Sequence, residues 1–443
     1  MALHHPELAE RVREQRRLLP DLYGSIEFDS TPHRFTTDPE VKSDLPAWIA
    51  DRDSVLADER VVELIRTTTM LGDVVADPYA ALAKQYGAKG LIDMLRKACR
   101  SGVDSVPDAP DELRAFIASM EATPDWVDVE LVEEGARQLR IGAAFLSPYI
   151  TRGAFLATFI NTYAALPMAL TGALTGRRAS RRVNETANFF AVTTLPGALG
   201  RYGEGFQAAA MVRLMHSMVR CNALTSPEGW DPEVYGVPVP QVDQMPAGLF
   251  NMYLAAVLAK SAGRDEFSSR ERAMLEFSRY RCFLLGLPEE LLPTTASEII
   301  EVFHARAATL RRGFDDATCG ELVRSTMGAD LRQGNSLLDQ LSETVERSWS
   351  RAFFLGICGG DLKRAEAMSV QFGPVDAACV AATAPFVLGR FVAMVIAAEQ
   401  PALRRLADDY TTRAVKQRLA EYGNADYTTD ATAYPRRPTR STT

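Results

Sequence analysis

The sequence predicts an all-α protein built as a single large helical domain. Apolar residues recur at three- and four-residue spacing along most of the chain, and the alternating apolar–polar pattern of strands hardly occurs. Gly and Pro fall where successive helical stretches would end. The 443 residues show no repeat of fixed period, so we expect one domain with helical extensions at both ends.

The N-terminal segment, residues 1–45, is predicted to be an arm that wraps around its own domain or a partner subunit. A short amphipathic helix from Pro6 to Leu19 is followed by a stretch rich in turn-forming residues. The histidines of this segment lie among polar residues and are expected to be solvated: His4, His5 and His33.

Residues 46–422 are predicted to form the helical domain itself. Pro124 suits the first turn of one helix, and Thr294 or Ser297 is expected to cap another. Continuous helical stretches are expected from Asp330 to Gly356 and from Asp361 to Glu399. The tail, residues 423–443, is polar and rich in Pro and Thr, and it is predicted to be disordered.

Two segments are apolar enough to be considered as membrane spans. Gly153 to Gly176 carries no charge, and Val380 to Ala398 carries only Arg390. For the first segment we favour a pair of core helices over a span, since a pocket inside a large helical domain also needs helices that are apolar on every face. Membrane association is left open without being favoured.

Composition excludes several classes of partner and compartment. The net charge of −8 and the absence of a long block of Lys and Arg argue against nucleic acid as a partner. The densest cationic cluster, Arg177 to Arg182, is as well explained by a solvated loop and helix start. Six dispersed cysteines favour buried thiols in a reducing compartment. The N-terminus has no apolar signal region, so we expect a cytoplasmic protein.

Common catalytic motifs are missing from the sequence. No P-loop, dinucleotide-binding glycine pattern, HExxH or paired GxSxG elbow occurs. The chain has five histidines, three of them in the arm, so a site with several histidine ligands is not expected. His304 lies between apolar neighbours and is interpreted as a satisfied core residue.

His216 stands out because it interrupts an apolar helix face. On a 3.6-residue helix it shares a face with the small apolar residues Ala209, Val212, Val219 and Ala223. Taken alone, this pattern is typical of an interior imidazole bonded to a carbonyl. It also resembles a flat apolar wall that carries one nitrogen ligand.

Two arginines flank this histidine at minus three and plus four. Arg213 and Arg220 are close enough to reach acidic groups on anything that lies against the wall. Haem would use all three features, since its iron needs an axial ligand, its macrocycle needs apolar walls and its propionates need cations. No CxxCH occurs, so a haem would be bound non-covalently.

Several motifs in a fixed order resemble a known family. Arg182 and Thr186, one turn apart, precede the His216 motif RLMHSMVR by about thirty residues. The segment PDWVD begins at Pro124, a Pro-rich stretch runs from Trp230 to Met245, and LGLPEELLP ends at Pro293. Together, over about 124–293, they resemble the catalytic domain of the latex-clearing-protein (rubber oxygenase) and MpaB-type oxygenases.

The resemblance implies a globin-like helical core around haem b, with His216 as the proximal ligand to the metal. Its Nδ1–H should then bond a carbonyl or carboxylate. Arg182 and Thr186 would line the opposite side near dioxygen, with Arg182 as a fixed cation. Phe189, with Phe190, would close the pocket. The alternative for Arg182 is a surface ion pair with Glu185.

The chain departs from its rubber-cleaving relatives at two positions. They carry a lysine just before the threonine, able to occupy the sixth haem position, and a proposed glutamate base about twenty residues earlier; here these are Glu185 and Leu166. A carboxylate binds ferrous iron poorly, but beside dioxygen it could exchange protons as acid or base. Polyisoprene cleavage is therefore in doubt.

The sequence thus favours a haem b-dependent oxygenase that acts with dioxygen on an apolar small molecule, such as an alkene, isoprenoid or lipid. His216 would hold the iron, while Arg182, Glu185 and Thr186 would manage dioxygen and protons. Two alternatives stay open: a haem-binding or sensing protein without turnover, and a haem-free family member that binds a hydrophobic ligand.

Overall fold

A computed structural model describes residues 4–171, 178–226, 230–423 and 425. In this part of the chain the protein is all-α, as predicted; no strand forms there, only two isolated bridges. The globin-like arrangement stays a prediction, and the predicted disordered tail lies outside the described residues except for 423 and 425. The helices of the described chain are α1 Pro6–Leu18, α2 Pro20–Tyr23, α3 Arg52–Leu56, α4 Glu59–Thr69, α5 Ala76–Ala81, α6 Ala83–Ser101, α7 Asp111–Glu121, α8 Val129–Phe145, α9 Ser147–Leu156, α10 Thr162–Leu170, α11 Arg178–Val192, α12 Glu204–Thr225, α13 Pro232–Tyr235, α14 Gln241–Ser261, α15 Ser269–Leu284, α16 Ala296–Thr309, α17 Glu321–Gly328, α18 Leu337–Ile357, α19 Leu362–Ala367, α20 Pro374–Glu399 and α21 Arg404–Tyr422.

The N-terminal segment packs against its own domain. Its helix α1 begins and ends within one residue of the prediction, and it buries Leu8 and Val12 in the main core. The side chain of Gln15 donates to the carbonyl of Met70 at 2.9 Å and accepts from the backbone of Gly72 at 2.7 Å. These bonds tie the segment to the loop that precedes α5.

Helix α12 lies at the centre of the molecule. It packs against α5, α6, α11 and α15, and its residues from Ala208 to Arg220 are buried apart from His216. Small side chains on several faces let four neighbours approach it, which is why the helix carries no single polar face. Apart from His216, the side chains in the central part of α12 therefore contact other helices and not solvent.

The two apolar segments fold differently. The segment 153–176 contains the end of α9 and all of α10, two short helices, as favoured over a single span. Its residues 172–176 lie outside the described residues. The other segment forms one 26-residue helix, α20, and only 6% of its most apolar window is buried. In the described chain, α20 is the helix long and apolar enough to cross a membrane.

Four helix boundaries differ from the predictions. Pro124 lies outside the first turn of a helix, because α8 begins at Val129 with Asp128 as its cap. Thr295, not Thr294 or Ser297, caps α16, because its hydroxyl accepts from the backbone of Glu298 while that side chain bonds back. The stretch from Asp330 to Gly356 is helical only from Leu337, after a second capping box at Ser336. The stretch from Asp361 to Glu399 breaks after α19, where Ser369 has a φ of 64°.

Candidate functional site around His216

The imidazole of His216 is the accessible group in an otherwise buried stretch of helix. Every other residue from Ala208 to Arg220 is buried, whereas His216 keeps part of its surface accessible. Helices α2, α5, α6, α10, α11 and α15 pack against α12, so the histidine lies among other helices. His216 is therefore a polar side chain inside the helical domain that keeps part of its surface accessible.

Hydrogen bonds between side-chain amides determine which ring nitrogen of His216 carries the proton. Gln241 donates its amide nitrogen to the carbonyl of Gly72 at 3.1 Å, so its oxygen is turned to Gln244. Gln244 donates to that oxygen at 3.0 Å, and its own oxygen lies 2.8 Å from Nδ1 of His216. Since this oxygen can only accept, Nδ1 carries the proton and donates. Nε2 is then left as a free lone pair, which is the form that binds a metal.

The surroundings keep this imidazole neutral. Burial lowers the pKa of His216 to about 4, and the nearby charges of Arg182 and Arg220 act in the same direction, against the bond to Gln244. A neutral ring is required of a metal ligand, because a proton on Nε2 would compete for the same lone pair. His216 is therefore neutral, and able to act as a metal ligand, across the physiological pH range.

Helix α11 brings the two other predicted residues to this region. Nη1 of Arg182 donates to the hydroxyl of Thr186 at 3.0 Å, so the two side chains lie on one face, as the four-residue spacing predicted. The guanidinium is near enough to His216 for its charge to influence the imidazole. The structure thus joins Arg182 to Thr186 and places the charge of Arg182 within electrostatic range of His216.

Glu185 occupies a different face of α11. Its carboxylate is buried and accepts from Nε of Arg181 at 3.3 Å, and Arg181 itself is largely exposed. The residue sits about 100° around the helix from Thr186. Phe189 shares the face of Glu185, is buried in the main core and contacts Phe190 edge-on at 5.2 Å between ring centroids. The assigned roles of Glu185 and Phe189 stay predictions.

Arg213 and Arg220 are engaged by carboxylates of the protein. Nε and Nη2 of Arg213 contact Asp73 at 2.6 and 2.9 Å, in a bidentate pair buried on both sides. Arg220 is paired with Asp77, and it also donates to the carbonyls of Pro238 and Val239. Their predicted role at the acidic groups of a bound cofactor stays a prediction; in this structure their partners are Asp73 and Asp77.

The turn after α15 depends on this arrangement. Gly286 has a φ of 88°, and a Cβ at this position would lie 2.5 Å from Asp73 and 2.7 Å from Nε of Arg213. Any larger residue would therefore collide with the ion pair. The glycine of the LGLP motif at Leu285 is explained by close packing, without a direct role in chemistry.

The Pro-rich connection and Leu166 form one wall near the end of α12. Trp230 packs with Leu166 and with Ala223, which lies two turns beyond His216, and its indole nitrogen donates to the carbonyl of Gly236 at 2.6 Å. Leu166, at the position of the relatives' proposed base, contributes apolar surface only.

Arg281 is a site residue that sequence reasoning missed. Seven arginines are buried in the described residues, and six of them pair with a carboxylate. Arg281 has no such pair there; it donates to the carbonyl of Gly248 at 3.1 Å, and its Nε has no partner in the structure. Burial lowers its pKa to about 10.

This arginine contacts the two helices that carry Gln244 and Thr186. Gly248 is one turn beyond Gln244 on α14, and the guanidinium of Arg281 lies 4.7 Å from the ring centroid of Phe190, one turn beyond Thr186 on α11. The signal available in the sequence was an arginine in an apolar stretch with no acid three or four residues away on either side.

In the described chain, these features define an all-α protein whose core holds a neutral histidine with a lone pair on Nε2 and a buried arginine without a carboxylate partner. No group of three or more His, Cys, Asp or Glu is placed there to hold a metal ion. The chain belongs to the family described as ER-bound oxygenase mpaB/B′/Rubber oxygenase, catalytic domain, whose model matches residues 146–415. This is well over half of the chain, and it extends further towards the C-terminus than the motifs at 124–293.

A solved structure shows the same fold. The structure of latex clearing protein in the closed state superposes with a TM-score of 0.54 and 17% sequence identity, over 79% of this chain and 91% of that chain. At this identity the likeness establishes the fold alone. No curated protein sequence matches the chain significantly. As a member of an oxygenase family, the protein is an oxidoreductase.

Proposed function

We propose that the protein is a haem b-dependent oxygenase that acts on an apolar small molecule with dioxygen. The observation that carries the proposal is the chain of amide hydrogen bonds ending at Nδ1 of His216, which leaves a lone pair on Nε2 of a neutral ring. A histidine held only for structure does not need a fixed free lone pair. Family membership supports oxygenase chemistry in general.

The residues present fit a haem in two respects. His216 would hold the iron through Nε2, with the oriented Nδ1–H that metal-binding histidines usually have. Arg281 supplies a buried cation without a carboxylate, which an anionic group such as a propionate would neutralise. Arg281 is therefore the better candidate for this role than Arg213 or Arg220, whose charges Asp73 and Asp77 already balance.

The remaining residues manage polarity around the reacting molecules. A bound haem would supply the activation of dioxygen and the electrons for substrate oxidation. Arg182 holds a positive charge and N–H donors near His216, and its bond to Thr186 orients that hydroxyl. Glu185 is the proposed proton carrier, and Phe189 and Phe190 exclude water. Trp230 and Leu166 make the substrate side apolar.

The test is a haemin titration of haem-free protein, followed by the optical spectra of the oxidised and reduced forms with and without carbon monoxide. We expect a Soret band in the wild type and its loss in His216→Ala. His304→Ala is a matched control, because His304 is also a half-buried helical histidine, bonded to Tyr253 at 3.1 Å. Wild-type protein that gains no band, or equal loss in both variants, would overturn the proposal.

A second candidate is a haem-binding protein without turnover. Two observations favour it: the base position is the apolar Leu166, and Glu185 is ion-paired with Arg181. It predicts the same spectra but no dioxygen uptake with isoprenoids, alkenes or lipids. Uptake that requires both substrate and Thr186 would eliminate this candidate.

A further inference from the structure

The apolar surface of α20 is unusual for a protein with this net charge. Its exposed side chains include Val375, Phe386, Leu388, Val392 and Ile396, with exposed fractions between 45% and 78%. We call these residues the α20 face. Exposed apolar surface of this extent on a single helix is typical of an interaction surface.

One side of α20 packs against the protein, and the other side is exposed. Val387 and Ala398 are buried, and the indole nitrogen of Trp349 donates to Thr383 at 2.8 Å. Asp376 at the start of the helix pairs with Arg351 at 3.0 Å. A helix crossing a membrane would have to give up these bonds, so α20 is built to lie along a surface.

A cleft rich in arginine opens beside the α20 face. Its volume is about 640 Å³, and it lies between α8, α20 and α21. We call it the arginine cleft. Its lining includes three arginines that make no ion pair within the described residues: Arg390, Arg413 and Arg418.

The cleft and the face are continuous. Phe386 belongs to both, and the guanidinium of Arg390 in the cleft lies 4.9 Å from the Phe386 ring centroid and 5.1 Å from that of Phe145. The same guanidinium donates to the hydroxyl of Tyr410 at 3.0 Å. Cations are thus held at one edge of an apolar strip, the arrangement in which headgroups and acyl chains meet.

We propose that the α20 face and the arginine cleft form a docking surface for a bilayer that contains anionic lipid. The apolar side chains would enter the acyl boundary, and the cleft would take an anionic headgroup. A second copy of this chain fits less well, because a two-fold contact would bring the same unpaired arginines towards each other. An anionic surface instead neutralises Arg390, Arg413 and Arg418.

The experiment is vesicle flotation of the full chain at low and high salt. We expect weak binding to phosphatidylcholine vesicles and stronger, salt-sensitive binding when about a third of the lipid is phosphatidylglycerol. Val392→Glu should abolish both. The double variant Arg390→Gln with Arg413→Gln should weaken binding to the anionic vesicles about tenfold or more and leave the neutral vesicles unchanged.

Matched controls lie elsewhere on the surface. Leu258→Glu, at an exposed apolar position on α14, and Arg324→Gln, at an exposed arginine on α17, should bind as the wild type does. Soluble glycerol phosphate at millimolar concentration should not displace the protein from vesicles. If the protein binds glycerol phosphate but no vesicles, the cleft recognises a free phosphate ester and the docking proposal is wrong.

Two further results would overturn the proposal. The first is equal binding to neutral and anionic vesicles, or no binding to either. The second is a dimer in analytical ultracentrifugation that Val392→Glu dissociates, together with no vesicle binding, which would assign the face to a second copy. If Val392→Glu does not fold, the arginine double variant still decides the question, because Arg390 and Arg413 are exposed.

Discussion

Two groups of arginines in this protein show opposite energetics. Arg213 and Arg220, on α12, are buried against Asp73 and Asp77, with little or no surface left on either partner. Arg390 and Arg413, at the arginine cleft, are exposed and make no ion pair in the described chain. Water solvates the charges of Arg390 and Arg413, so these two arginines cost the fold nothing. The buried charges of Arg213 and Arg220 are stable only because carboxylates compensate them.

The two buried carboxylates respond differently. Burial and the neighbouring charge of Asp73 raise the pKa of Asp77 in spite of Arg220. Burial acts to raise the pKa of Asp73, but the charge and hydrogen bonds of Arg213 outweigh it, and the pKa ends below its usual value. Arg281 is buried like Arg213 and Arg220, but it has no carboxylate partner in the described chain. It should therefore behave unlike either group, which makes it the most informative position in the comparison.

The largest expected effect comes from Asp77→Ala. The carboxylate of Asp77 holds Arg220 and also accepts from the Tyr23 hydroxyl at 2.6 Å and the Asp73 backbone at 2.9 Å. Its loss leaves a buried charge uncompensated, and we expect the free energy of unfolding to fall by about 3–5 kcal/mol. Urea unfolding of haem-free protein measures this change.

The control for this variant is Asp316→Ala. Asp316 forms an exposed ion pair with Arg324, so its midpoint of unfolding should match that of the wild type. Equal losses in the two variants would mean that burial does not separate the two groups of arginines.

The next effect is a pH dependence centred on His216. Because burial lowers its pKa to about 4 from an ordinary 6.5, the unfolded chain binds more protons than the folded one between these values. Stability contributed by the neutral ring is complete above about pH 6.5 and is lost as the pH falls towards 4. The total loss should be on the order of 3 kcal/mol.

His216→Gln isolates this contribution. The difference in unfolding free energy between the variant and the wild type should change across pH 4 to 6.5 and be constant above that window. A constant difference over the whole range would show that the imidazole is solvated and titrates normally. The same measurement in Gln244→Leu should show a steeper dependence, since the bond to Gln244 acts to raise this pKa.

Arg281→Met is expected to change two quantities in opposite directions. Removing an uncompensated buried charge should stabilise haem-free protein by roughly 1–3 kcal/mol. Loss of the same cation should weaken haem binding at least tenfold if a propionate is its partner. Unfolding of the haem-free form and a haemin titration measure the two effects separately.

Arg279→Met is the matched control. Arg279 is two residues away on α15, pairs with Glu276 at 3.2 Å and lies 4.0 Å from the Trp126 ring centroid, so its removal should destabilise the protein. If Arg281→Met is destabilising as well, Arg281 is a structural residue and contributes nothing specific to a cofactor site.

The sequence was sufficient for the parts of this protein that depend on local periodicity. It predicted an all-α chain and the common face of Arg182 and Thr186, because four-residue spacing alone decides that face. It could not predict the partners of Arg213 and Arg220, which lie about 140 residues earlier in the chain. The chain from Gly72 through Gln241 and Gln244 to His216 joins three separate segments, so no local pattern records it.

The smallest expected effect is that of Arg413→Gln at the arginine cleft. Arg413 is exposed and donates within its own helix to the carbonyl of Asp409 at 3.2 Å, with no carboxylate to leave behind. We expect the free energy of unfolding to change by less than about 0.5 kcal/mol, against several for Asp77→Ala. Urea unfolding in low and high salt measures it. A loss above about 1 kcal/mol would mean that the cleft arginines stabilise the fold, and they would then need no external anion to explain their position.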